Sequence, residues 1–235
     1  MPDALNDAES LGLGLQPGDP HYRAYIGPPE DYDLVAAMTF NLLTTLGLRQ
    51  HHTVVDVGCG SLRVGRLLIP YLNAGRYIGI EPNAWLVEDG IRREVGADLV
   101  RIKQPRFLAG DGPEGLAETD GPIDFAVAQS VFSHCGLDLI RRWLAGLAPR
   151  LAPTGALAAT YLPAEQDFEG SGWVYPECVN FHSRTLARVA AESGLTMTPL
   201  DWRHPRQTWA LFHREGFDTA WFRDRPLTWN SRPGA

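Results

Sequence analysis

The chain has 235 residues, 44% of them hydrophobic and 21% charged, and a formal net charge of -7. That length suffices for one α/β domain whose core needs no disulfide or metal staple, and no run of about twenty apolar residues suits a membrane span. The negative charge argues against broad, salt-driven nucleic-acid binding, which needs a basic face.

Residues 1–30 are rich in Gly, Pro and Asp and read as a flexible N-terminal arm leading into Tyr22, Tyr25 and Ile26. The first eighteen are acidic and lack the basic-then-apolar layout of a signal peptide. From Tyr32 to Leu46 the spacing predicts a helix, with Leu34, Met38, Leu42 and Leu46 on one stripe and Gly47 ending it. Thr53–Val57 is a short apolar strand, followed by a glycine turn and a helix through Leu67, Leu68 and Tyr71. Arg76–Ile80 is the second strand, and Pro82-Asn83 opens a helix with Asn83 as its N-cap. Pro105–Leu108 is a weaker third strand and Ile123–Ala128 a good fourth, followed by a helix carrying Leu139, Ile140, Trp143, Leu144 and Leu147. Gly155–Leu162 is the fifth strand, and a Pro/Gly-rich insertion over 162–181 interrupts the rhythm. His182–Ser193 is helical, and strands Leu195–Leu200 and Gln207–His213 close the count.

Apolar strands alternating with helices predict an α/β fold, a mostly parallel sheet covered on both faces. The link between the last two strands contains His204-Pro205 and is too short for a crossover helix, so those strands pair antiparallel. The expected organisation is the arm, one domain over 31–215 containing the insertion, and a C-terminal tail over 216–235.

In such sheets a ligand sits outside the carboxyl ends of the strands. The first strand runs into Asp56-Val57-Gly58-Cys59-Gly60-Ser61, where two glycines allow a tight turn and close backbone approach. Glu81 ends the second strand, where a carboxylate can accept both ribose hydroxyls. An NAD fingerprint needs a third glycine, and Arg63 occupies that position. A pyrophosphate there would also meet Asp56 and Asp111, whereas the ammonium and sulfonium of S-adenosyl-L-methionine suit an acidic turn. Each residue has a plain structural reading too: Asp56 can cap the turn, Glu81 can be a solvated strand end, and Asp-Gly at 111–112 is a common turn dipeptide.

Val54-Val55-Asp56-Val57-Gly58-Cys59-Gly60 resembles the first motif of class I S-adenosylmethionine-dependent methyltransferases, and Ile80-Glu81-Pro82-Asn83 resembles their second. Gly110-Asp111 is similar to the segment that meets the adenine amino group. Ser61-Leu62 departs from the pattern, where many members keep another glycine. The resemblance covers about residues 50–160. It implies a Rossmann-like, seven-stranded sheet with an antiparallel final hairpin and a cofactor site of Asp56, Gly58, Cys59, Gly60, Glu81, Pro82, Asp111, Gln129 and Ser130.

Methyl transfer is an in-line displacement at an activated carbon, and a hydroxyl nucleophile usually also needs a base. Gln129-Ser130-Val131-Phe132-Ser133-His134 follows the fourth strand, with the first of these beside the methionine part of the cofactor. His134, at the start of the next helix, is the candidate base, set against a structural histidine bonded to a backbone carbonyl. His182, His204 and His213 are alternatives, and His51 and His52 belong at the far end of the first strand. No carboxylate or histidine cluster has metal-ligand spacing. Tyr22, Tyr25, Trp173 and Tyr175, with Phe168, are expected to wall or lid the acceptor site, with Trp221, Phe222 and Trp229 of the tail as further candidates. Cys59, Cys135 and Cys178 are too few and too scattered for a disulfide framework and suit a reducing, cytoplasmic setting. The expected activity is methylation of a hydroxyl on a small molecule, a natural product or saccharide. N-methylation by proximity, cofactor binding without transfer and an NAD-dependent reductase are the rivals. No nucleic acid or membrane partner is expected.

Overall fold

The computed structural model describes residues 11–223 and 225–231. Residues 1–10 of the expected arm, and Asp224 and 232–235 of the expected tail, lie outside the described residues.

Seven strands form one sheet: β1 (Val54–Val57), β2 (Tyr77–Ile80), β3 (Arg106–Leu108), β4 (Ile123–Ala128), β5 (Leu151–Tyr161), β6 (Thr196–Leu200) and β7 (Thr208–His213). Their order is β3-β2-β1-β4-β5-β7-β6. The first five are mutually parallel, and β7 runs antiparallel to both β5 and β6. This is the expected mostly parallel sheet with a reversed last strand. The chain builds outward from β1 through β2 to β3, then returns to lay β4 on the other side of β1. The gap left at that reversal, at the carboxyl ends of β1 and β4, is where such sheets take their ligand.

Central strands read as continuous apolar runs because both faces are covered. Val55 and Val57 of β1, Ala126 and Ala128 of β4, and Ala210 and Phe212 of β7 join one core. That core is completed by α5 (Leu137–Leu147) and α6 (Ser183–Glu192). Their neighbours Val54, Phe125, Val127, Trp209 and Leu211 point the opposite way, into a second core with α1 (Tyr32–Thr45) and α2 (Gly65–Tyr71).

Several local readings differ. On α1 the buried residues are Tyr32, Val35, Ala36, Thr39, Leu42, Leu43 and Thr45, and Leu34 is 56% exposed. A strict four-residue row drifts by about 40° per step around a helix of 3.6 residues per turn, so Leu34 stands about 80° from Leu42, on the side away from Val35, Ala36, Thr39 and Leu43, where the burial is centred. The helix after β2 is split into α3 (Ala84–Gly90), a π-turn over Ile91–Val95 and α4 (Ala97–Lys103). Gly96, with φ +84°, makes the corner. Asn83 stands at the N-cap position of α3 without making a capping bond; its amide is used elsewhere.

The N-terminal segment, expected to be flexible, packs from His21 on. Arg23 lies over the Tyr32 ring at 4.4 Å and donates to Glu94 at 2.7 Å, with both side chains only 9% exposed. The tail also packs, but at the other end of the sheet: Phe217 and Phe222 are buried in the second core, and Trp221 borders a hollow beside His52. No helix among the described residues is long and apolar enough to cross a membrane.

Candidate active site

The turn after β1 is shaped by its glycines. Gly58 and Gly60 adopt φ +63° and +53°, a region side-chain-bearing residues avoid. A Cβ on Gly58 would stand 2.9 Å from Val131 Cγ2, and one on Gly60 2.9 Å from Ile26 Cγ2. The turn therefore lets two segments, the one after β4 and the N-terminal one, close down on it. Between them lies a cleft of about 320 Å³. Of the expected cofactor residues, Asp56, Gly58, Cys59, Gly60, Glu81, Pro82, Asp111, Gln129 and Ser130 all line it.

Glu81 caps the end of β2 and faces the turn. Its Oε2 accepts from the Gly60 amide at 3.0 Å, and its Oε1 from the Asn83 amide and Asn83 Nδ2, both at 2.9 Å. Charge-assisted bonds of this kind outrank a neutral N-cap contact, which explains why the Asn83 side chain turns to Glu81. A carboxylate offers about four lone-pair positions. Three are occupied, so accepting two ribose hydroxyls requires Asn83 Nδ2 to give way. Burial pushes the Glu81 carboxyl above its ordinary range, against the pull of these bonds.

Asp56 is buried within β1 and accepts from the Tyr77 hydroxyl at 2.8 Å. Burial raises its carboxyl to about 7, while the Tyr77 bond and the Arg63 charge work the other way and Glu81 adds to the rise. Cys59 is buried too, its thiol pushed well above its usual range by the same desolvation and by Asp56 and Glu81. A thiol held protonated lines the cleft as an apolar group.

His134 lies in a short 3-10 turn, Phe132–His134, rather than at the start of α5, which begins three residues later. Its Nδ1 is 2.6 Å from the Glu177 carbonyl oxygen. A carbonyl can only accept, so the proton sits on Nδ1 and Nε2 keeps its lone pair. The ring lines the cleft and meets the Tyr175 ring edge-on at 5.0 Å. Burial depresses its pKa, the Glu177 bond opposes this, and Arg63 adds to the depression. The two readings weighed for His134, carbonyl-bonded structural residue and base with a free lone pair, turn out to be compatible.

The other histidines divide clearly. His182 caps α6 by accepting from Arg184 N at 3.0 Å, and His213 bonds Thr198 Oγ1 at 3.0 Å and the Arg214 carbonyl at 2.9 Å. Neither lines the cleft. His204 stands behind it, 3.2 Å from Gln129 Nε2.

Tyr25, Trp173 and Tyr175 line the cleft as expected. The Tyr175 hydroxyl donates to the Tyr25 carbonyl, tying the insertion to the N-terminal segment, and Trp85 meets the Tyr25 ring at 5.1 Å. Tyr22 does not reach the cleft. It is buried, its hydroxyl donating to Glu94 at 2.9 Å and accepting from Arg23, so it anchors the segment that presents Tyr25. Phe168 packs on the core, and Trp221, Phe222 and the exposed Trp229 lie away from the cleft, so the described residues of the tail do not wall it.

Arg63 and Trp143 line the cleft but had no place in the sequence reading of the site. Arg63 is 7% exposed yet lines the cleft; its slot was read as a missing glycine. Trp143 was read as a core residue of α5, and its Nε1 is buried without a partner. An unsatisfied buried donor costs about 1–3 kcal/mol, so a bound ligand presenting an acceptor there would recover it. A carboxylate at the end of β2, amides in a turn whose glycines carry no side chain of their own, and a donor without a partner fit an adenosine-bearing ligand extended across β1 and β4.

Residues 55–157 match the family model described as a methyltransferase domain. Among solved structures, magnesium protoporphyrin IX methyltransferase from Synechocystis PCC 6803, with bound SAM, superposes with a TM-score of 0.58 at 15% identity, over 79% of this chain and 81% of that one. An amino pentose methyltransferase from Micromonospora echinaspora gives 0.56 at 14% identity, over 77% and 91%. Mitomycin 7-O-methyltransferase gives 0.58 at 16% identity, over 77% of this chain but 54% of its own length. At these identities the likeness is one of fold. No curated protein matches the sequence.

Proposed function

We propose, from the match of residues 55–157 to a methyltransferase-domain model and from a fold shared with solved methyltransferases, that the chain methylates a hydroxyl of a small molecule with His134 as general base. The cofactor is S-adenosyl-L-methionine, which supplies an electrophilic methyl group on a sulfonium. Glu81 would hold its ribose, the Gly58–Gly60 turn its backbone-facing side, and Trp143 and Asp111 the purine end.

The observation that carries the reading is the Nδ1 bond to the Glu177 carbonyl. It fixes the tautomer in which Nε2 can accept a proton, in a ring that borders the cleft. Because burial keeps the imidazole neutral to a pH below its ordinary value of about 6.5, the base is ready at neutral pH. His134 takes the hydroxyl proton as the acceptor oxygen attacks, and the Tyr25–Tyr175 closure limits water at that point. The names of the neighbours, a mitomycin O-methyltransferase and an amino pentose methyltransferase among them, support a small-molecule acceptor.

The test is His134→Gln, assayed for methyl transfer to a panel of phenols and saccharides and for S-adenosylhomocysteine affinity by calorimetry. Turnover should fall about 100-fold or more with affinity unchanged, and the acid limb of the wild-type kcat profile should disappear. Turnover within a few-fold of wild type would remove the base and favour an amine acceptor, whose lone pair needs none.

A further inference from the structure

Behind the turn, three side chains from distant parts of the sequence meet: Arg63, Gln129 and His204. Arg63 donates to Gln129 Oε1, and Gln129 Nε2 faces His204 Nε2 at 3.2 Å. Arg63 makes no ion pair among the described residues; Asp56 and Asp31 act on it only at a distance. A guanidinium is never deprotonated in a protein, so a charge stands in a buried corner without a carboxylate against it.

The hydrogen-bond count makes the shortage explicit. His204 Nδ1 accepts from the amides of Arg206 and Gln207, both at 3.0 Å. Its proton therefore belongs on Nε2, which must donate toward Gln129. Burial and the Arg63 charge depress the His204 pKa to about 4, so the ring is neutral and carries that one proton. Gln129 has a single oxygen for two donors, Arg63 and His204. Rotating the amide by 180° moves the shortage from one neighbour to the other without ending it. The corner holds a surplus of donors, and its cation lines the cleft.

We infer that Arg63, propped by Gln129 and His204, is a carboxylate-binding subsite of the cleft. A carboxylate is the group that answers a planar, bidentate donor fork. Two sources present that chemistry: the methionine part of the cofactor and an acidic group on the acceptor. The inference rests on the methyltransferase reading above.

The experiment compares wild type with Arg63→Met, with Arg63→Lys as a variant that keeps the charge but loses the fork, each checked for an intact melting transition. Calorimetry is run with S-adenosylhomocysteine and with 5′-methylthioadenosine, which lacks the amino-acid part. With the protein saturated in S-adenosylhomocysteine, it is then run with 4-hydroxybenzoate and with phenol. If the cofactor supplies the carboxylate, Arg63→Met weakens S-adenosylhomocysteine at least tenfold and leaves methylthioadenosine within twofold, with Arg63→Lys between. If the acceptor supplies it, the variant spares both nucleosides and phenol but loses 4-hydroxybenzoate. Equal S-adenosylhomocysteine affinity in all three proteins, with no Arg63-dependent binding of 4-hydroxybenzoate, overturns the subsite and leaves the methyltransferase reading standing. Wild-type protein that binds neither nucleoside overturns the cofactor reading and the subsite with it.

Discussion

Asp56 shows how much a single buried carboxylate can weigh on the turn it supports. Its pKa in the folded chain, about 7, lies above the unfolded value of about 3.9. A raised folded pKa means the native state holds the proton more tightly, so this contribution is complete below about pH 4 and is lost as pH rises toward 7. Asp56→Asn removes the titration while keeping an oxygen for the Tyr77 hydroxyl. The Tm difference between variant and wild type, without ligand, should therefore shift in the variant's favour from pH 4 to pH 7 and level off above; a difference independent of pH would sink the assignment. At this scale the sequence was most informative where backbone shape decides. Gly58 and Gly60 are needed for their φ angles, and Glu81 by its place at the end of a strand. It was least informative where side chains decide. Tyr22 and Tyr25 are both aromatic and three residues apart, and only the fold sends one to Glu94 and the other to the cleft. Arg63 was visible as a departure from a glycine pattern, but its meaning depends on Gln129, 66 positions further on, and on His204, 75 positions beyond that.

Elements were legible in proportion to their burial. β1, β2, β4, β5 and β7 are covered on both faces, and continuous apolar runs of strand length betray them within a few residues. Boundaries slipped where termination depends on contacts, as at β5, which begins at Leu151 beside Ile123 rather than at Gly155. The split of the region after β2 into α3, a π-turn and α4 left no periodic signature long enough to read. The facing of α1 gives a direct check. Leu42→Ala should cost about 2–5 kcal/mol in chemical denaturation, as a fully buried leucine does. Leu34→Gln should stay within about 0.5 kcal/mol, as surface changes do. Comparable losses at both positions would mean the helix is rotated from the face described.

For the molecule as a whole, the cleft is assembled from the sheet plus two irregular segments that hold each other. The N-terminal one is fastened by Arg23 between Tyr32 and Glu94, with Arg66 bridging Glu94 and Asp33. Removing one member of a nearly buried ion pair leaves its partner charged and unsatisfied. Glu94→Ala should thus release residues 18–27 to proteases and weaken S-adenosylhomocysteine binding several-fold, through Tyr25 and Ile26, while the sheet's circular dichroism persists. Unchanged proteolysis would show that the segment is held by something other than this pair.

The placement of β7 between β5 and β6 reaches beyond the finished protein. Among the described residues β6 pairs with β7 alone, and the link joining the two sets His204 and Gln207 against Gln129 and Ser130 of the cleft. A polypeptide still leaving the ribosome holds the whole glycine turn, Glu81 and His134 long before it holds that last strand. Until residue 213 has emerged, the pairing of β6 with β7 is incomplete. The turn, Glu81 and His134 are therefore made first, and the strand whose pairing with β6 sets His204 and Gln207 against Gln129 and Ser130 is made after them.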